Sequence, residues 1–167
     1  MAQFRFVTIW RFRAHLDEIW TPIHDYERWP SWWKGVERVD VVRPGGPDGV
    51  GTRTEQTWKS ALPYRLRFNI EITRVVPFQV IDVAADGELR GTGRMSFSTD
   101  RDEVAVRFEW NVETTRVWMN LLAPLARPLF RWNHGTIMNW GAQCLGRRLG
   151  VPLLESRDVR EASQTAA

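Results

Sequence analysis

The hydrophobic pattern changes its period near residue 116, within the stretch VAVRFEWNVETTRVWMNLLAPLARPLFRWNHGTIMNWGAQCLGRRL that runs from Val104 to Leu149. Before that point apolar and polar residues alternate, which is typical of a strand with one buried face. After it, apolar residues recur every three or four positions, which is typical of a helix. At 1.5 Å per residue, a helix over 128–149 would be roughly 33 Å long, enough to cross a sheet.

Two prolines, Pro124 and Pro128, interrupt the helical pattern. A proline inside a helix removes one backbone hydrogen bond and costs about 3 kcal/mol. We therefore expect a helical lead-in over 117–123, a kink, and then the main helix over 128–149. The residues that follow contain few apolar side chains, so we expect 151–167 to form a flexible tail.

Alternation also marks the chain before the helix. Residues 3–12 predict a first strand, and the pattern then becomes helical over 15–33, where Pro22 is expected to begin a second short helix capped by Thr21. Six more strands are predicted over 36–43, 50–60, 64–76, 78–85, 88–99 and 104–115. Short connections favour antiparallel neighbours. These elements predict an α+β fold. In this arrangement a curved seven-stranded antiparallel sheet wraps round the long C-terminal helix and leaves a cavity between them.

The composition is that of a globular protein. The 167 residues are 43% hydrophobic and 26% charged, which predicts one domain over 1–150. No run reaches the roughly 18 apolar residues of a transmembrane span, and arginines interrupt the apolar N-terminus, so we expect a cytoplasmic protein. The basic residues are scattered despite a net charge of +3, and we therefore predict no nucleic-acid partner.

Residues that bind metals or cofactors are not arranged in their usual patterns. His15 and His24 lack metal-ligand spacing with each other or with Cys144, so no metal site is predicted. The glycine-rich turn 45–51 lacks the Lys-Ser/Thr of a phosphate-binding loop. Residues 91–93 lack the third glycine and the following helix of a dinucleotide site. We therefore expect no cofactor.

Five motifs rich in tryptophan and glycine occur between residue 3 and about residue 150. They are Trp20…Asp25…Trp29-Pro30, Trp32-Trp33-x-Gly35, Gly49-Val50-Gly51, Gly87-x-x-x-Gly91-x-Gly93 and Trp132-Asn133-His134. In this order they resemble the START-like helix-grip superfamily (SRPBCC), specifically its bacterial polyketide cyclase/dehydrase and lipid-transport branch. The resemblance implies a ligand cavity between sheet and helix. It leaves the activity open, because the superfamily contains lipid carriers, cyclases, ligand sensors and chaperone activators.

A cavity of this kind would be lined by large apolar side chains, although an ordinary filled core is the alternative for each. The predicted ligand-binding residues of this kind are Trp58, Phe68, Met95, Trp110, Ile137 and Trp140. Asn133 lies in the apolar stripe of the helix, where it would either orient a ligand or bond the backbone near the kink. His134, offset by about 100° on the helix, is a candidate general acid or base. Thr54 and Gln56 add polar contacts only if strand 50–60 turns them inward, which alternation does not decide there.

Three functions follow from this site. The first is a binder of a small hydrophobic molecule, aromatic or lipid-like. The alternative is a polyketide aromatase/cyclase that uses the same cavity with one acid/base group. The second alternative is a protein-interaction module. Trp118, Met119 and Leu121 are expected to be exposed enough to contact a membrane or a partner protein, and segments 24–35 and 117–130 are predicted to border the cavity mouth.

Overall fold

The computed structural model describes residues 2–159, which form one sheet, two α-helices and a 3-10 helix. The strands are β1 (Gln3–Arg13), β2 (Val36–Arg43), β3 (Arg53–Lys59), β4 (Arg65–Val76), β5 (Val80–Gly87), β6 (Leu89–Asp100), β7 (Glu103–Thr114) and β8 (Leu153–Asp158). The helices are α1 (Leu16–His24), the 3-10 helix (Tyr26–Ser31) and α2 (Val117–Leu149). The strands lie in the order β2-β3-β4-β5-β6-β7-β1-β8, and all neighbours are antiparallel. The predicted helix-grip fold is confirmed, with one strand more than expected.

The eighth strand lies where a flexible tail was predicted. β8 pairs with β1, and the Thr8 hydroxyl donates a hydrogen bond to Asp158 Oδ1 at 2.7 Å. No side chain of β8 is fully buried, so its sequence shows no alternation that could have revealed it. The prediction of a flexible tail is therefore wrong for residues 153–158, and residues 160–167 lie outside the described part of the chain.

α2 is one helix of 33 residues, so the predicted break between a lead-in and a main helix is wrong. Pro124 and Pro128 both lie on its exposed side. The carbonyls that lose their hydrogen bonds to these prolines are therefore on the side that water reaches, which lowers the cost. α1 likewise contains Pro22 within its last turns, and Thr21 is an interior residue of that helix, not the cap of a second one.

Two glycines of β6 leave room for the backbone and a ring of β7. A Cβ atom at Gly91 would overlap the backbone oxygen of Asn111 on β7. A Cβ atom at Gly93 would overlap the ring of Trp110, which lies across β6 on the concave face. Any larger residue would force the strand away from its neighbour or displace that ring.

α2 reaches the concave face of the sheet through a cluster of tryptophans. Trp33 follows the 3-10 helix, and its indole Nε1 donates a hydrogen bond to the carbonyl of Ile137 at 3.0 Å. The Trp33 ring also packs against Trp10 of β1, with centroids 5.1 Å apart. Gly141 of α2 faces both rings, and a Cβ atom there would overlap Trp33. The helix is thus held against the sheet at a residue without a side chain.

None of the helices in the described part of the chain is both long and apolar enough to span a bilayer.

Gly141→Ala should destabilise the protein because the added methyl group overlaps the Trp33 and Trp10 rings. Gly146→Ala is the matched control. Gly146 is also buried in α2, but the nearest atom to its new Cβ would be the Val151 oxygen, at 3.3 Å. Both variants gain the same helix propensity, about 1 kcal/mol. We expect the free energy of unfolding of Gly141→Ala to lie at least about 2 kcal/mol below that of Gly146→Ala in urea titrations. Equal values would contradict this packing.

Candidate functional site

A cavity of about 180 Å³ lies between the concave face of the sheet and the first two thirds of α2. Its walls are mostly aromatic and aliphatic. Of the predicted site residues, those that line it are Trp58, Phe68, Met95, Trp110, Asn133, His134 and Ile137. The structure therefore brings these residues together around one space, from four strands and one helix.

Trp140 does not line this cavity. It lies beside Gly35, and the ammonium group of Lys34 stands over its ring at 4.3 Å from the ring centroid. Residue 140 lies about one helical turn beyond Ile137, where α2 already meets the segment that follows the 3-10 helix. Its position indicates a role in holding that segment through a cation–π contact.

The inward face of β3 is polar, which explains why alternation could not assign it. Trp58 Nε1 donates to Gln56 Oε1 at 2.9 Å, and Gln56 Nε2 donates to Thr54 Oγ1 at 3.0 Å. Thr54 in turn contacts the carbonyl oxygen of Ile70 on β4 at 3.5 Å. Thr54 and Gln56 are buried, and Gln56 lines the cavity. These polar groups are satisfied by one another, as buried polar groups generally are.

Asn133 is bonded by the loop that connects β3 and β4. Its Oδ1 accepts hydrogen bonds from the Ser60 hydroxyl at 2.7 Å and from the Ala61 backbone N–H at 2.8 Å. Its Nδ2 donates to the Tyr64 hydroxyl at 3.2 Å. Burial raises the pKa of Tyr64, so its hydroxyl stays neutral. Asn133 therefore joins α2 to the 60–64 loop. The expected hydrogen bond to the backbone near Pro124 and Pro128 is not found among the described residues.

His134 differs from the other polar residues of the cavity. Its ring stacks on Phe6 of β1, with centroids 4.1 Å apart and an interplanar angle of 9°. The residue keeps some accessible surface, but its Nδ1 atom is buried and has no hydrogen-bond partner among the described residues. Burial lowers the pKa of His134 to about 3, so the imidazole is neutral near pH 7. A neutral imidazole has one donor and one acceptor nitrogen.

Several cavity residues were not among the predicted ones, although some carried a usable signal. Phe6 and Tyr64 lie on the faces of alternating segments that turn inward. Trp33, by contrast, lies in an irregular segment, for which no periodicity assigns a direction. The remaining unpredicted residues include Trp29, Leu66, Ile70, Phe130 and Met138.

Met119 was predicted to be exposed, and this is wrong: its side chain is buried and lines the cavity. Its sulfur accepts a hydrogen bond from the Thr114 hydroxyl at 3.5 Å. Trp118 and Leu121 are exposed as expected. The difference follows from the 100° rotation per residue, which turns residue 119 inward when its neighbours face out.

The fold resembles solved structures over most of its length at low sequence identity. The Zhui aromatase/cyclase from Streptomyces sp. R1128 is 12% identical with a TM-score of 0.72, and the match covers 89% of this chain and 94% of that one. A START superfamily protein from Mycobacterium smegmatis is 14% identical with a TM-score of 0.69, covering 88% and 98%. A protein from Thermus thermophilus is 17% identical with a TM-score of 0.67, covering 87% and 99%. No curated protein matches the sequence.

These likenesses define the class as the START-like helix-grip fold, and at such identities they show the fold alone. The family described as polyketide cyclase/dehydrase and lipid transport matches residues 12–139, more than half of the sequence. The chain belongs to this family, as its sequence motifs predicted.

Asn133→Leu should destabilise the protein, because it leaves the Ser60 hydroxyl and the Ala61 N–H without their acceptor. A buried group deprived of its partner costs about 1–3 kcal/mol. Tyr64→Phe is the matched control, since it removes the hydroxyl beside Nδ2 and Ser60 but keeps both hydrogen bonds to Oδ1, and it should cost about 1 kcal/mol or less. Urea titrations of both variants measure the difference. A fully stable Asn133→Leu would contradict the structural role.

His134→Phe should make the protein more resistant to acid. Between pH 6.5 and pH 3, His134 is protonated in the unfolded state and neutral in the folded state. Lowering the pH through this range therefore lowers the free energy of unfolding of the wild type. The wild type should lose about 1–2 kcal/mol of unfolding free energy, relative to the variant, between pH 7 and pH 5. Urea titrations at both pH values give this difference. Identical losses in the two proteins would mean that His134 is protonated in the folded state.

Proposed function

We propose that this protein binds a small apolar molecule, of one or two fused rings and with a hydroxyl group, in the cavity between the sheet and α2. The observation that carries the proposal is an aromatic cavity lined by His134, whose buried Nδ1 has no hydrogen-bond partner among residues 2–159. Ligand sites are usually apolar with a few placed polar groups, and this cavity has that composition.

The volume supports a ligand of modest size. An engineered apolar cavity of about 150 Å³ binds benzene, and typical sites for larger ligands measure about 300–1,000 Å³. The 180 Å³ of this cavity therefore suit one ring or a compact fused pair. The rings of Trp58, Phe68 and Trp110 give such a molecule apolar walls.

His134 supports the choice of a hydroxyl group. The polar atoms of Gln56, Trp58 and Asn133 are already bonded within the protein. Nδ1 of His134 is not, and a hydroxyl can donate to this nitrogen or accept from it, whichever tautomer is present. We therefore assign the ligand's polar anchor to His134 rather than to Asn133.

Isothermal titration calorimetry with 2-naphthol and 2-methylnaphthalene tests this proposal, because the two probes differ only in the hydroxyl. The wild type should bind 2-naphthol a few-fold to tenfold more tightly. His134→Phe should abolish that preference and leave the affinity for 2-methylnaphthalene nearly unchanged. Trp140→Phe is the matched control outside the cavity and should bind both probes as the wild type does.

Met95→Trp, which fills the cavity, should bind neither probe. Binding by a folded Met95→Trp variant would place the probes elsewhere, and a wild type that binds neither would contradict the proposal.

The second candidate is a polyketide aromatase/cyclase, which the family description includes. Its support is that His134 would contact a substrate in the cavity. The low pKa of His134 makes it a weak base, and this favours the binding role. Aromatic product formed from a synthetic poly-β-keto thioester above the uncatalysed rate, and lost in His134→Phe, would favour the cyclase instead.

A further inference from the structure

The outward side of the first half of α2 is apolar, where the exposed side of a helix normally carries charged residues. The residues that form this outer ridge are Val117, Leu121, Leu125, Pro128 and Trp132. Val117, Leu121 and Leu125 are 72%, 75% and 87% exposed. Trp118, Leu122 and Leu129 extend the ridge on one side and are also exposed.

The ridge is continuous along the helix. Its members recur at intervals of three or four residues, so they lie above one another on one face. Sixteen residues at 1.5 Å each give a strip about 24 Å long. The opposite face of the same segment is the buried one, with Met119, Ala123 and Phe130. Contiguous exposed apolar strips of this kind mark interaction surfaces, whereas single exposed apolar residues do not.

The charge beside the ridge has one sign. Arg127 and Arg131 are exposed, lie one helical turn apart on the other flank, and have no ion pair with a carboxylate among residues 2–159. The sequence has no Asp or Glu between Glu113 and Glu155. An apolar strip with a tryptophan and unpaired arginines is the pattern of a helix that lies in the interface of an anionic membrane.

We propose that the outer ridge and its two arginines dock this protein on the surface of an anionic lipid bilayer, with α2 parallel to the membrane plane. The leucines would enter the boundary between headgroups and acyl chains, and the guanidinium groups would bind lipid phosphates. A second copy of this chain fits less well, because a two-fold contact would bring Arg127 and Arg131 towards their own copies.

Docking has a consequence for the cavity, and only this consequence rests on the proposed ligand function. Met119 and Phe130 line the cavity from the inner face of the segment that carries the ridge. The cavity would then lie one helix diameter, about 10 Å, from the bilayer. An apolar ligand would be exchanged with the membrane across or beside this helix.

Vesicle flotation with the full chain tests the docking. The wild type should float with vesicles of phosphatidylcholine and phosphatidylglycerol, less with phosphatidylcholine alone, and less with both at high salt. The double variant Leu121→Ser/Leu125→Ser should partition at least tenfold less. Val42→Ser, which changes an exposed apolar residue of β2, is the control and should float as the wild type does.

The arginines are tested separately. Arg127→Gln/Arg131→Gln should weaken flotation with the anionic vesicles by roughly fivefold per arginine and change little with phosphatidylcholine alone. Unfolding midpoints should change little in all these variants, because the substituted side chains are exposed and differ only modestly in helix propensity.

Three outcomes would overturn the proposal. One is a wild type that floats with neither vesicle. Another is a double leucine variant that floats as well as the wild type. The third is a wild type that does not float but forms a dimer by sedimentation velocity, which the leucine substitutions dissociate; the ridge would then be an interface between two copies. None of these outcomes depends on whether the cavity binds 2-naphthol.

Discussion

The depth of the cavity depends on the contact between Gly141 and the rings of Trp10 and Trp33. At this point α2 touches the sheet as closely as backbone and aromatic ring allow, and Ala142 and Leu145 beyond it are fully buried. All cavity residues of α2 precede it, between residues 119 and 138. The helix is therefore packed on the sheet at its C-terminal end and separated from it towards its N-terminal end. A larger residue at position 141 would alter both regions together.

The polar residues inside this fold divide into two groups. Thr54 and Gln56 are bonded within β3 and to β4, and Asn133 joins α2 to the 60–64 loop. His134 bonds no described residue through Nδ1, and burial keeps its imidazole neutral. An unpaired buried nitrogen lowers stability, which is a cost that a bound ligand would relieve. Among these polar side chains, His134 is thus the one most available to bind a ligand.

Periodicity in the sequence was sufficient to predict an element and its buried face where one face is apolar and the other polar. It placed Phe68 and Trp110 correctly on the concave face. The order of the predicted strands and helices then gave the fold. It was insufficient at Gln56, because the inward face of β3 combines the polar Thr54 and Gln56 with Trp58, and at Pro124, where solvent exposure lowers the cost of a missing hydrogen bond. The partners of Asn133 come from a loop about 70 residues away, and no local pattern contains such information.

The position of β1 in the sheet has a consequence for how the chain acquires its fold. β1 leaves the ribosome before the other strands of the described chain, yet its two neighbours are β7 (Glu103–Thr114) and β8 (Leu153–Asp158). At about 5–20 residues per second, synthesis of the intervening chain takes on the order of ten seconds. During this time Trp10 and Phe12, fully buried in the folded protein, have neither strand to cover them. The nascent chain therefore presents an aromatic strand to chaperones or to other chains until β7 and β8 have been synthesised.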